Sequence, residues 1–245
     1  MADRQGLGAA GVAGMPASRS GEEIEGRGLH MTEGYAAPEA ARFVSREQVL
    51  EALVEKRDLS GANLSDLDLS GIRLVSVTMT GANLRGGDLS GCLLADVEAT
   101  GADLSGARMA GATILATNLA SAGLRGVRLR AARIKDTNLW RADLSHADLS
   151  GAWIKDTNLA NSTLRGGNLV AASIARSSLK DADLTAADLT GSSLKRVDVA
   201  GADWTGTSIS GARAGGVEWL PMLLGCAVAV LLLVVAQRRK ARQRS

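Results

Sequence analysis

The stretch Gly-Ala-Asp-Leu-Ser at residues 101–105 is the unit that decides the fold of this chain, and close copies of it recur on both sides. Gly-Ala-Asn-Leu-Ser occupies residues 61–65, and Arg-Ala-Asp-Leu-Ser occupies residues 141–145. If the leucine is taken as the central residue of each unit, the phase continues unbroken from Leu59 to Ile209, which gives 31 repeats. Of the 31 central residues, 29 are Leu, Ile, Met or Val. A strict period of five fits neither a helix nor a strand, so it predicts a repeat architecture.

The pattern A(D/N)LxX closely resembles the pentapeptide-repeat family, over residues 57–213. The resemblance implies an all-β fold, a right-handed quadrilateral parallel β-helix of about eight coils, here assigned to residues 58–213. One pentapeptide would form each side, with the central residue and the residue two before it pointing inward. Such long arrays resemble bacterial members most. Because aromatic residues make up only 2% of the chain, a narrow core of small apolar residues is also what the composition favours.

A second period supports the four-sided coil from the residues themselves. Ile114, Ile134, Ile154 and Ile174 are 20 residues apart, which is four repeats, and the string Ile-Lys-Asp-Thr-Asn-Leu occurs twice at that spacing. These isoleucines should therefore stack in one column. Glycine stands two residues after the centre in 15 of the 31 repeats, where a type II turn needs a positive φ.

The segment before the repeats predicts a cap for the first coil. Ser45 and Gln48 form a capping-box pattern, and Val49, Leu50, Leu53 and Val54 recur at helical spacing. We therefore expect a helix over 46–56 within a capping segment of 45–57, and a partner-binding helix is the alternative. Residues 1–44 lack periodicity and are expected to be disordered, and either Met1 or Met31 could be the true start.

The segment after the repeats predicts a membrane anchor. After a linker of 214–218, residues 219–236 contain no charged residue and are long enough for a transmembrane helix, and the tail of 237–245 is basic. A hydrophobic capping or dimerisation helix is the alternative. The residues expected to carry the anchor are Trp219, Leu223, Leu231, Leu232, Leu233, Arg238, Arg239 and Lys240.

The expected topology involves a conflict between two signals. The positive-inside rule would place the basic tail in the cytoplasm and the solenoid outside, yet no export signal precedes the solenoid. We favour a single-pass, tail-anchored protein with a cytoplasmic solenoid. A surface-sorted envelope protein is the alternative.

The sequence contains little that predicts catalysis. The two histidines and two cysteines are scattered, so no metal site is expected, and 16 Asp and Asn residues occupy the slot before the central residue that the repeat itself requires. We therefore predict no enzyme and no cofactor.

One basic cluster could bind an anionic partner or a lipid headgroup, although a solvated face is the plainer interpretation. The uninterrupted repeats, the absence of catalytic motifs and the anchor together predict a non-catalytic membrane-anchored scaffold that binds a protein partner of unknown identity. A DNA-mimicking inhibitor of a topoisomerase such as gyrase is the family-based alternative, although such members resemble acidic proteins and the repeats here have a net charge of +1. Nucleic acid is an unlikely partner. The cluster consists of Arg125, Arg128, Arg130, Arg133, Lys135 and Arg165.

Overall fold

The computed structural model describes residues 42–215, which form a parallel β-solenoid preceded by one short helix. Eight three-residue strands form a single parallel sheet in chain order, and each strand pairs with the one 20 residues later. Seven complete turns therefore separate the first strand from the last. The strands are β1 (Arg73–Val75), β2 (Leu93–Ala95), β3 (Thr113–Leu115), β4 (Arg133–Lys135), β5 (Trp153–Lys155), β6 (Ser173–Ala175), β7 (Ser193–Lys195) and β8 (Arg213–Gly215).

Each turn has four five-residue sides, which we call faces A to D in chain order. Face A carries β1–β8, whereas the other three faces pair through isolated parallel bridges that also join residues 20 apart. In one turn, face B is centred on Leu139, face C on Leu144, face D on Leu149 and face A on Ile154. Face C is therefore opposite face A. The predicted four-sided coil and the stacked isoleucine column are both confirmed.

The side chains just before the central residues explain why face A differs. On faces B, C and D, the 16 Asp and Asn residues in this slot each accept a hydrogen bond from the backbone N–H two residues on, as Asp143 does from Ser145 at 2.9 Å. This local bond competes with a regular ladder. The described part of face A has no Asp or Asn in the slot, so its segments are free to form extended strands.

The corners of the coil also come in two kinds. All 31 residues that lie two after a central residue have a positive φ, and the predicted glycines account for 15 of them. Every described corner that follows face A has a residue other than glycine, such as Asp136 at φ 52° and Asp156 at φ 52°. There, the buried hydroxyl of Thr137 donates to the carbonyl of Lys135 at 2.9 Å, which satisfies an acceptor at the corner.

The core is a continuous stack of inward side chains. Every central residue from Leu59 to Trp204 is buried, and in most repeats the residue two before it is small and inward, as Ala142 is beside Leu144. Arg57, two before Leu59, is exposed instead, and the larger Leu67 and Ile72 occupy this position in the first repeats of faces D and A. Each turn between the first and the last is thus covered by two neighbouring turns, which makes stability a sum over adjacent turns.

A helix covers the first turn, as predicted. Helix α1 (Arg46–Glu55) begins after Ser45, whose side chain accepts from the N–H of Gln48, and the Arg46 guanidinium donates to the carbonyl of Ser70 in the solenoid. Val49 is fully buried against the core, with Ala52 and Leu53 half-buried beside it.

Two details of the N-terminal prediction were wrong. Leu50 and Val54 were expected on the covered stripe but are 42% and 88% exposed, because α1 turns its Val49 side toward the core. The segment from Arg42 was expected to be disordered, yet Arg42 pairs with Asn63 and the N–H of Phe43 donates to the carbonyl of Asn63.

The C-terminal end of the described chain is the last strand of face A. Strand β8 ends at Gly215, so the ladder runs two residues beyond the predicted limit of 213 and into the expected linker. Within residues 42–215, no helix has the length and apolar character needed to cross a membrane. The predicted membrane helix at 219–236, the basic tail and the residues assigned to the anchor lie outside the described residues, as does most of the segment 1–44.

Candidate functional site

The six bases predicted as an anion-binding patch do not share one surface. Five are exposed and Lys135 is half-buried. Because a turn visits four faces in 20 residues, neighbours in sequence point in different directions. The bases lie in pairs: Arg125 and Arg165 on face C, Arg128 and Arg130 on face D, and Arg133 and Lys135 on face A.

Faces C and D interleave their bases with carboxylates. On face C, Arg165 binds Asp183 at 3.2 Å and Arg85 lies 3.9 Å from Asp103. On face D, Arg108 binds Asp88 at 3.2 Å. These exposed pairs contribute little to stability, but they leave both faces mixed in charge.

The second half of face A holds many basic side chains and few acidic ones. From β4 to β8, the outward positions of face A and the corner that follows hold seven bases against only Asp136 and Asp156. One exposed tryptophan, Trp153, lies among them. We call this surface the basic half-face. It comprises Arg133, Lys135, Trp153, Lys155, Arg176, Lys195, Arg196 and Arg213, with Asp136 and Asp156 at the corner.

The two aspartates of the basic half-face are each held by a base. Arg176 donates to both carboxylate oxygens of Asp156, at 2.6 and 2.7 Å, and this bidentate bond lowers the pKa of Asp156 and raises that of Arg176. The Lys135 ammonium donates to Asp136, which raises the pKa of the lysine. Asp156, Arg176 and Lys135 therefore stay charged near neutral pH.

Five bases of the basic half-face make no ion pair with any residue of 42–215. The Lys155 ammonium instead lies over the Trp153 ring, 5.4 Å from its centroid. A flat, strand-built surface with unneutralised bases is suited to binding an extended array of anions. These bases are Arg133, Lys155, Lys195, Arg196 and Arg213.

The first half of face A has a different surface. Over β1–β3 its outward side chains include Val75, Leu93 and Leu115, and its bases and acids balance. Val75 is 41% exposed, and the other two are half-buried. The positive charge is therefore confined to the end of face A nearest the C-terminus.

Sequence reasoning found only Arg133 and Lys135 of the basic half-face, because it looked for bases within one coil. The missed residues repeat at the 20-residue spacing: Lys155 and Lys195 share a column with Lys135, and Arg196 shares one with Arg176. A search along the 20-residue columns would have found them.

The described residues show few groups suited to chemistry. Within 42–215, no cluster of His, Cys, Asp and Glu side chains could hold a metal ion. Burial raises the pKa of the Cys92 thiol to about 12, so this thiol is a poor nucleophile. His146 lies at a corner and packs close to Gly166.

Comparison with solved structures shows similarity to other solenoids of this kind. One is HetL from Nostoc sp. strain PCC 7120, at 24% identity and a TM-score of 0.36, covering 69% of this chain and 97% of HetL. Another is trypsin-treated QnrB1, a plasmid-mediated fluoroquinolone resistance protein, at 21% identity and a TM-score of 0.41, covering 71% of this chain and 90% of the other.

The family assignment rests on the sequence repeats. No match was found among curated proteins. Eight copies of the family pattern described as Pentapeptide repeats match residues 58–96, 79–114, 88–126, 122–159 and 154–191. Together these matches span residues 58–191, more than half of the chain. The chain therefore belongs to the pentapeptide-repeat family.

Proposed function

We propose that this protein is a non-catalytic, membrane-anchored scaffold whose solenoid presents fixed columns of side chains to a protein partner. The observation that carries the proposal is the unbroken 20-residue register from β1 to β8, which holds outward side chains at a constant spacing on four faces. A surface ordered in this way can bind without prior rearrangement, which lowers the entropic cost of association.

The anchor is the part of the proposal that comes from the sequence alone. Residues 219–236 contain no charge, and Arg238, Arg239 and Lys240 follow them. The solenoid is proposed to lie in the cytoplasm, so that only the short basic tail crosses the bilayer.

A photocrosslinking experiment tests the interaction role. A photoreactive amino acid is placed at one matched outward position on each face of a single turn, and the full chain is irradiated in the cells that express it. A specific protein should crosslink from one face or from two adjacent faces, and the remaining positions are the controls. If no position crosslinks to a protein, the scaffold role is wrong. The four positions are Ala160 on face B, Arg165 on face C, Val170 on face D and Ala175 on face A.

A fractionation experiment tests the anchor. The full chain should stay with membranes after alkaline carbonate washing, and a variant with Leu231, Leu232 and Leu233 changed to Asp should be released. An N-terminal tag should then resist protease in intact spheroplasts of a bacterial host and be cut after permeabilisation. Digestion in intact spheroplasts would place the solenoid outside and favour the envelope alternative.

DNA mimicry is less well supported than the scaffold role. A DNA mimic must present negative charge, whereas face A ends in the basic half-face and faces C and D alternate in sign. If the purified chain inhibited DNA supercoiling by gyrase at equimolar concentration, this alternative would replace the scaffold proposal.

A further inference from the structure

We infer that the basic half-face lies against anionic lipid headgroups of the membrane that anchors the chain, so that the solenoid rests along the bilayer surface. This inference deepens the proposed function and rests on the anchoring proposed there. It assigns a ligand class, anionic phospholipid, to a surface that the scaffold role leaves open.

The charge of the basic half-face favours contact with an anionic leaflet. The basic half-face has seven bases and two acids, and five of the bases make no ion pair with residues 42–215. Basic residues near an anionic leaflet each strengthen membrane binding by roughly fivefold. The opposite face, C, pairs Arg85 with Asp103 and Arg165 with Asp183, so it offers no comparable attraction.

The basic half-face also lies at the end of the described solenoid that is nearer in sequence to the predicted membrane helix. Face A ends at Gly215, only four residues before Trp219, where the predicted membrane helix begins. Four extended residues reach at most about 14 Å, so β8 must lie close to the headgroups if the helix spans the membrane. The charged end of face A, and not its apolar end, is thus the end held near the lipid.

The short range of electrostatic attraction favours a solenoid that lies along the membrane surface. From β4 to β8 there are four strand spacings, or about 19 Å. In an upright solenoid, Arg133 and Lys155 would lie farther from the leaflet than the Debye length of about 8 Å, and their attraction would be screened. A solenoid lying on face A brings all five strands to the headgroups. Trp153, which is 38% exposed among the bases, is of the residue type that favours this interface.

Two reporter positions in one turn test the inference. Ser173 on face A and Thr163 on face C both directly precede a central residue and both are half-buried. Each is changed to Cys, separately, in a background with Cys92→Ala and Cys226→Ala, and labelled with a small fluorophore. Alanine suits position 92 because it is the commonest residue at equivalent inner positions, such as Ala112.

The labelled full chains are reconstituted into vesicles of phosphatidylcholine and phosphatidylglycerol at three to one, with a headgroup-attached nitroxide quencher. We expect several-fold stronger quenching at position 173 than at 163. The difference should disappear in pure phosphatidylcholine and shrink in high salt. Equal quenching at both positions in the anionic vesicles would overturn the inference.

A matched pair of charge variants tests the residues. The triple variant Arg133→Gln, Lys155→Gln, Lys195→Gln should lose the difference between the reporters. The triple variant Arg85→Gln, Arg125→Gln, Arg165→Gln removes the same charge from face C and should keep it. If both triple variants behave alike, net charge and not the basic half-face is responsible, and the inference fails.

Two further outcomes distinguish the lipid contact from a nucleic-acid site and from the proposed membrane anchor. If duplex DNA without vesicles changes the fluorescence at 173 but anionic vesicles do not, the surface is a nucleic-acid site and the lipid assignment is wrong. If the full chain is released by carbonate yet floats with anionic vesicles and is quenched at 173, the anchor fails while the lipid contact stands.

Discussion

The two ends of the solenoid differ in how their inner side chains are covered. At the first turn, Leu59 and Leu64 are as deeply buried as any residue of the middle, and Val49 of α1 is buried in the same core cluster. At the last turn, Ile209 and Ala214 are only half-buried. The same repeat therefore yields different burial according to its neighbours. The repeat therefore specifies the coil, whereas the stability of each turn depends on the turn or helix that packs against it.

The largest loss of stability is expected for a substitution in the middle of the solenoid, where a turn lies on each side. Leu149→Ala removes a side chain that is 1% exposed and lies between Leu129 and Leu169 in one column. We expect a loss of roughly 2–5 kcal/mol of unfolding free energy, because rigid turns above and below prevent the cavity from closing. Urea unfolding followed by far-ultraviolet circular dichroism measures it. A loss below the lower bound would mean that the turns relax around the cavity.

The next largest loss of stability is expected for a substitution in α1, and it tests whether this helix caps the solenoid. Val49→Asp buries a carboxylate against the first turn and should lower the unfolding free energy by about 2–4 kcal/mol, with faster hydrogen exchange in residues 59–75. Val54→Asp is the matched control, since Val54 is on the same helix but 88% exposed, and it should change stability by less than about 0.5 kcal/mol. Equal losses of stability in the two variants would contradict the capping role and favour the alternative, a partner-binding helix.

Much of this fold could be predicted from one sequence, because a strict period allows few structures. The central residues determine the coil, and the recurrence of Ile134 and Ile154 determines the four-sided turn. The covered side of α1 could not be predicted in the same way. Its apolar spacing includes Leu50 and Val54, and only contacts such as that of Arg46 with the Ser70 carbonyl decide which side faces the core.

The candidate surface was harder to predict than the fold because it is built across turns. Lys135 and Lys155 are neighbours on face A yet 20 residues apart, whereas Arg125 and Arg133 are close in sequence and lie on opposite faces. The sequence did contain a signal for the strand-forming face, since no Asp or Asn directly precedes the central residues of face A. That signal can be interpreted only from the structure, in which the Asp and Asn side chains of the other faces accept hydrogen bonds from backbone N–H groups, as Asp143 does.

A smaller change in stability, of opposite sign, is expected one turn before the last described turn. Ser192 is fully buried at an inner position, and its hydroxyl has no hydrogen-bond partner within the described chain. Ser192→Ala should stabilise the solenoid by about 1 kcal/mol, since an unpaired buried hydroxyl is costly. The control is Ser162→Ala, because the hydroxyl of Ser162 donates to the carbonyl of Leu159 at 2.7 Å, and this variant should not be stabilised. A loss of stability in Ser192→Ala would show that its hydroxyl has a partner in solution.

The smallest effect is expected at the last turn, in the same column as Leu149. Ile209→Ala removes a side chain that is only half-buried and that, among residues 42–215, is stacked on Leu189 alone in its column. Little apolar area returns to water, so the loss should be about 1 kcal/mol or less. Hydrogen exchange should quicken only in the last turn, because each turn couples mainly to its neighbours. If Ile209→Ala costs as much as Leu149→Ala, the segment beyond Gly215 must cover this end in solution. A hydrophobic capping helix would then replace the membrane anchor as the explanation of residues 219–236.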